Sequence, residues 1–105
     1  MRFAILVPAL LAMSISSAWA DQSSALADIK AQNYAVDAQI DTSGNAYVLV
    51  KPAGLNWPAY AAAMCQLVAP HQARIFRMRI IDLTKANYSK PPATWPRLTE
   101  AACAQ

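Results

Sequence analysis

The stretch Val36-Asp37-Ala38-Gln39-Ile40-Asp41-Thr42-Ser43-Gly44-Asn45-Ala46-Tyr47-Val48-Leu49-Val50 decides how this chain folds. Its first six residues alternate apolar and polar, so Val36, Ala38 and Ile40 share one face and Asp37, Gln39 and Asp41 the other. Thr42-Ser43-Gly44 is a turn signal, and Gly44 can take the left-handed position of a three-residue hairpin loop. The return run is rich in β-formers. Pairing about Ser43 sets Ile40 beside Ala46, Ala38 beside Val48 and Val36 beside Val50, giving a wholly apolar face. The stretch is therefore a β-hairpin with a core side.

Lys51-Pro52-Ala53-Gly54 stops the second strand, and Asn56-Trp57-Pro58 opens a helix with a capping Asn and a first-turn Pro. That helix runs over 59–69, carries Trp57, Ala61, Met64 and Val68 on one stripe, and ends at Pro70. A further strand over 73–83 points Phe76, Met78 and Ile80 one way, and Ile75, Arg77, Arg79 and Ile81 the other. Strand, helix and strand make a βαβ unit with a right-handed crossover. Upstream, Ser23-Ser24 caps a short helix over 25–32; downstream, 85–93 is a polar, proline-bearing linker. Thr94-Trp95-Pro96 then opens a last helix ending near Cys103. The expected fold is a small α+β domain of ββαβ order. It has a three-stranded sheet, helices on one face, and a free outer face carrying Gln39, Tyr47, Arg77 and Arg79.

The start of the chain reads as an address. A positive Met1-Arg2-Phe3, an apolar run over 4–13 and a small-residue Ala18-Trp19-Ala20 follow the order of a secretory signal peptide cut before Asp21. The run is about half the ~20 residues a membrane anchor needs. The expected domains are thus 1–20, removed, and 21–105, one exported domain with no stable membrane insertion, periplasmic or secreted. Export places Cys65 and Cys103 in an oxidising compartment, where the two pair as a disulfide. The C-x-x-C spacing of a redox pair is absent. Thr94-Trp95-Pro96 echoes Asn56-Trp57-Pro58, with Trp eight residues before Cys in both. The expected bridge therefore joins two helices side by side.

The chain has 105 residues, 56% hydrophobic and 14% charged, with a formal net charge of +3. That excludes a disordered tail. One His and two Cys are too few for a structural zinc site, and no metal or cofactor is expected. His71 falls in a loop, expected to face solvent. No serine stands in a nucleophile-elbow setting, and Asp37 and Asp41 lie on a strand face rather than across a cleft. The pattern is not an enzyme's.

Charge is divided unevenly. Lys30 and Lys51 face four aspartates before Pro70, whereas Arg74, Arg77, Arg79, Lys85, Lys90 and Arg97 face Asp82 and Glu100 after it. The modest total and the export signal argue against nucleic acid. Arg77 and Arg79 either meet a partner or pair with Asp37 and Asp41 across strands. Tyr88 and Lys90, in the proline-stiffened linker, are typical contact residues. The candidate binding surface is Arg74, Arg77, Arg79, Tyr47, Tyr88 and Lys90. The expected function is a small periplasmic binding protein, inhibitor- or immunity-like by size and export, docking on an envelope protein or anionic ligand. The alternatives are a structural subunit of an envelope secretion or transfer assembly and, further off, a small hydrolase.

Overall fold

The structure, a computed structural model, describes the backbone of residues 17–103 and the side chains of 21–103. The apolar run over 4–13 lies outside the described residues. Helix α1 (Ser17–Lys30) leads to strands β1 (Ala35–Ile40) and β2 (Asn45–Val50). Helix α2 (Trp57–Val68), strand β3 (Arg77–Asp82) and strand β4 (Thr99–Ala102) follow. The sheet has four strands in the order β1-β2-β3-β4. The β1/β2 and β3/β4 pairs are antiparallel, and β2/β3 is parallel, as the α2 crossover requires.

The hairpin keeps the expected pairing at Ile40–Ala46 and Ala38–Val48. Asp41 builds its turn. One carboxylate oxygen accepts from the Ser43 and Asn45 backbone N–H groups, each at 2.9 Å, while Gly44 takes φ +85°. The register shifts between Ala35 and Asp37. This bulge turns Val36 out, 44% exposed, and Ala35 packs against the core instead. Val36 does not face the core.

Asn56 Oδ1 accepts from the Ala59 N–H at 3.1 Å, capping α2 as its sequence predicts. Ala61, Met64 and Val68 lie buried on one helical face. They pack with Ala25 and Ile29 of α1 onto Ala38, Ala46, Val48, Val50, Met78 and Ile80. The helix α1 begins well before Ala25, so Ser23 and Ser24 sit inside it rather than capping it.

Two further corrections concern the second half. Gln72 and Arg74 take left-handed φ values of 52° and 58°, so the third strand starts only at Arg77. Ile75 consequently enters the helix-side core, and Phe76 is half exposed. The segment read as a last helix is instead the fourth strand, β4, hydrogen-bonded to β3, after a single 3-10 turn at Pro92–Thr94. The disulfide joins Cys65 and Cys103 as expected, with Cα atoms 5.1 Å apart, but it ties α2 to the end of a strand.

The outer sheet face is covered rather than free. The segment 83–98 folds over it, and Trp95, Tyr47, Leu49 and Ile81 form a second apolar cluster. Trp95 donates its indole N–H to the Asn87 carbonyl at 2.8 Å. Every residue from Ala46 to Val50 is buried, as expected for an inner strand with both faces covered. Trp57 and Trp95 are not equivalent, because they lie on opposite sides of the sheet.

Candidate functional site

Arg77 and Arg79 point from alternate positions of β3 toward β4, where Glu100 stands opposite Arg79. Glu100 takes Arg77 Nη1 at 2.7 Å, Arg79 Nε at 3.2 Å and Arg97 Nη1 at 3.2 Å. Three guanidinium groups share one carboxylate. Burial by itself would raise the Glu100 carboxyl; the Arg77 hydrogen bond and the charges of Arg79, Arg97 and Arg77 outweigh it and hold the group below its ordinary range.

The network continues inward. Arg79 Nη1 donates to the Tyr47 hydroxyl at 3.0 Å, and its guanidinium lies 5.5 Å from the Tyr47 ring centroid. The Tyr47 hydroxyl donates to Asp41 Oδ2 at 3.0 Å. Asp41 is held below the usual carboxylate range: burial pushes it up, but bonds from Asn45, Tyr47 and Ser43 push further down. Burial, then the Asp41 bond and charge, raises the Tyr47 phenol. The chain Glu100–Arg79–Tyr47–Asp41 thus links β4, β3, β2 and the hairpin turn.

This network shows which carboxylate the arginines meet within the chain. They do pair across strands, yet with Glu100; Asp37 instead meets Lys30 at 3.7 Å, and Asp41 is reached only through Tyr47. Arg79 and Tyr47 are internal, with the Arg79 side chain 13% exposed and Tyr47 buried. Arg77 and Arg97 remain accessible, their side chains 56% and 37% exposed. Arg74 is exposed on the connection into β3, and Lys90 on the covering segment. Tyr88 is exposed and stacks edge-on against Trp95 at 5.4 Å. Among the expected surface residues, only Tyr47, Arg77 and Arg79 meet in one network. Arg97 and Glu100 belong to it and were missed, because a helix over 94–103 does not pair with β3 and so does not set Glu100 opposite Arg79.

A second constellation was also missed. His71 does not face solvent freely: Nδ1 lies 2.8 Å from Ser24 Oγ, and Nε2 lies 2.7 Å from Asp28 Oδ2. Ser24 and Asp28 are one helical turn apart on α1, so their side chains share a face. A serine relay needs donors waiting for the oxyanion and a cavity for the acyl group. Ser24 sits inside a helix, its hydroxyl also lies 3.1 Å from the Asp21 carbonyl, and none of the three borders either of the two hollows next to Tyr34. The geometry is that of a clamp from α1 to the segment leaving α2.

No protein-family model, no curated protein and no solved structure matches this chain. The chain is a small α+β domain with one disulfide among the described residues, in which three arginines share the Glu100 carboxylate. Among the described residues, no helix is long and apolar enough to cross a membrane.

Proposed function

We propose that this chain is a small exported binding domain. Its basic face, Arg77 and Arg97 around Glu100, docks on an acidic surface of a cell-envelope protein. The observation that carries the reading is the ratio of three guanidinium groups to one carboxylate. Arg79 is held inside, so the surplus charge sits on Arg77 and Arg97, which stand on β3 and at the entry to β4. Held in place by Glu100, they lose less side-chain freedom on binding than free arginines would. A basic patch of this kind steers an acidic partner and fixes its orientation. Binding is favoured over catalysis because both titratable clusters are tied up in structural bonds.

Reversal of Arg77 and Arg97 to Glu tests this reading. Capture from envelope extract with the wild-type domain should retain one acidic partner. The double variant should bind that partner at least about a hundredfold more weakly, in line with loss of close charge pairs. Its thermal midpoint should fall, because two new carboxylates crowd Glu100 where two guanidinium groups paired with it. Replacing both arginines by Gln, which adds no like charge, should keep the midpoint closer to wild type and still weaken binding. Unchanged affinity, or a free small anion as the only ligand, overturns the proposal.

Export is the second part of the proposal. It is supported by the order of charged, apolar and small residues before Asp21 and by the disulfide. The Ala20–Asp21 bond lies within α1, so processing would have to precede the winding of its first turn. Intact-mass analysis of the protein recovered from the envelope should give an N-terminus at Asp21 and no titratable thiol. An N-terminus at Met1, or two free thiols, contradicts it.

A further inference from the structure

Tyr34, on the turn between α1 and β1, takes φ +71° although it is 44% exposed. A bulky residue is costly in the left-handed region, where Gly or Asn fits better. Core packing gives no reason to keep a ring there, because much of that ring faces water. The surroundings nonetheless hold it firmly. Tyr34 meets Trp57 edge-on at 6.5 Å, and Trp57 meets Tyr60 edge-on at 5.3 Å. The Tyr60 hydroxyl donates to the Asn33 carbonyl at 2.7 Å, and the Lys51 N–H donates to the Tyr34 carbonyl at 3.2 Å. Strained residues held in place by their surroundings cluster at ligand contacts, which makes this outward-facing ring a candidate for one.

Two concavities are bordered by Tyr34. One, of about 350 Å3, is bordered by Gln32 and Asn33 and by the largely apolar Tyr34, Tyr60, Ala63, Met64 and Leu67. The other, of about 430 Å3, is bordered by Asn33, Val36 and Lys51 as well as Tyr34. Both are open to solvent. The Lys51 ammonium has no carboxylate within ion-pair distance among the described residues.

We propose that the Tyr34 ring and its two adjoining hollows bind an acidic glycan, with sugar units seated in the hollows against the ring and a carboxylate on Lys51. Pyranose rings present flat C–H faces, whose slight positive charge suits an aromatic π face. Their hydroxyl groups suit the amide side chains of Asn33 and of Gln32, whose Nε2 also donates to the Asp28 carbonyl at 3.1 Å. Lys51 adds the preference for a negative sugar by charge complementarity. A fatty or aromatic ligand would call for an enclosed apolar cavity instead. This surface is formed by α1, α2 and the turn before β1, so it does not depend on the arginines of β3 and β4.

Titration of the oxidised protein with a β-1,4-linked mannuronate hexasaccharide, followed by amide NMR, tests the site. Saturable shifts are expected at residues 32–36, at Lys51 and at the Trp57 indole. β-1,4-Linked mannohexaose, which keeps the linkage and the C2 configuration and lacks the carboxylates, should bind about threefold more weakly, the scale of one exposed charge pair. Tyr34→Gly relieves the left-handed backbone and gives up the Trp57 edge contact, so it should fold about as stably as wild type while losing about tenfold or more in affinity. Lys51→Gln should erase the difference between the two sugars. Absence of shifts at this surface, shifts centred on Arg77 and Arg97, or full affinity in Tyr34→Gly would overturn the proposal.

Discussion

Replacing Cys65 and Cys103 together by alanine is expected to lower stability by about 4 kcal/mol, the loop-entropy value for a bridge across 38 residues. A domain of this size has on the order of 5–10 kcal/mol in total, so the loss is a large fraction of it. The corresponding fall in Tm is on the order of 20 °C. The location of the bridge makes the effect local as well as global. The edge strand β4 has four residues and only β3 as a sheet neighbour. Its far end is held by the Cys103 N–H to Phe76 carbonyl bond and by the disulfide to α2. Without the disulfide, β4 should fray first. Because β4 carries Glu100, fraying would release Arg77 and Arg79 from their shared carboxylate. Urea unfolding with and without reductant measures the total. Hydrogen exchange at 99–103 measures the local part. Equal midpoints for the oxidised protein and the double variant would show that the bridge is incidental to stability.

The hairpin and α2 were legible because their signals are local. Alternation over 36–41, a turn with Gly44, and Asn56 with Pro58 each act within a few residues, and the structure keeps all three apart from the displacement of Val36. That bulge leaves no mark on the alternating pattern; one extra residue near a strand end becomes visible only against its partner. The C-terminal segment misled for a related reason. Thr94-Trp95-Pro96 has the same local start as α2, but the residues after it are claimed by the open edge of β3, whose unpaired backbone groups outweigh a weak helical preference. The covered outer face follows from that exchange. Once β4 joins the sheet, the segment before it has to cross the outer side, and Trp95 closes over Tyr47. The basic site was half legible: the arginines on β3 stand out in sequence, whereas their carboxylate lies on the strand mistaken for a helix. Neither His71's partners on α1 nor the strained Tyr34 leaves a sequence signature, since each depends on contacts between distant elements or on backbone angles.

Gly44→Ala is expected to cost about 2–4 kcal/mol, through two effects that arise at one atom. The first is conformational. At φ +85° an added Cβ meets its own backbone, a penalty of about 1 kcal/mol. The second is collision. A Cβ at this position would lie 2.7 Å from the Arg74 carbonyl oxygen and against the Phe76 ring. The Phe76 ring is half exposed and can swing away, but the Arg74 carbonyl belongs to a backbone already fixed at a left-handed φ of 58°. Moving that backbone costs a further 1–3 kcal/mol, roughly the range for overpacking. The Gly44 carbonyl also accepts from the Phe76 N–H at 2.8 Å and the Arg77 N–H at 3.3 Å, so the turn and the entry to β3 are docked on each other. Gly44→Asn separates the two effects. Asn tolerates the left-handed region, so only the collision remains, and the cost should fall by less than half. Gly54→Ala is the control: no heavy atom lies within 4 Å of the place its Cβ would take, and the change should be neutral or slightly stabilising. Chemical denaturation of the three variants measures these differences. Because the displaced backbone leads directly into Arg77, Gly44→Ala should also weaken acidic-partner binding more than its loss of stability accounts for, whereas Gly54→Ala should leave binding intact. Full stability in Gly44→Ala would mean that the hairpin turn does not rest on the start of β3.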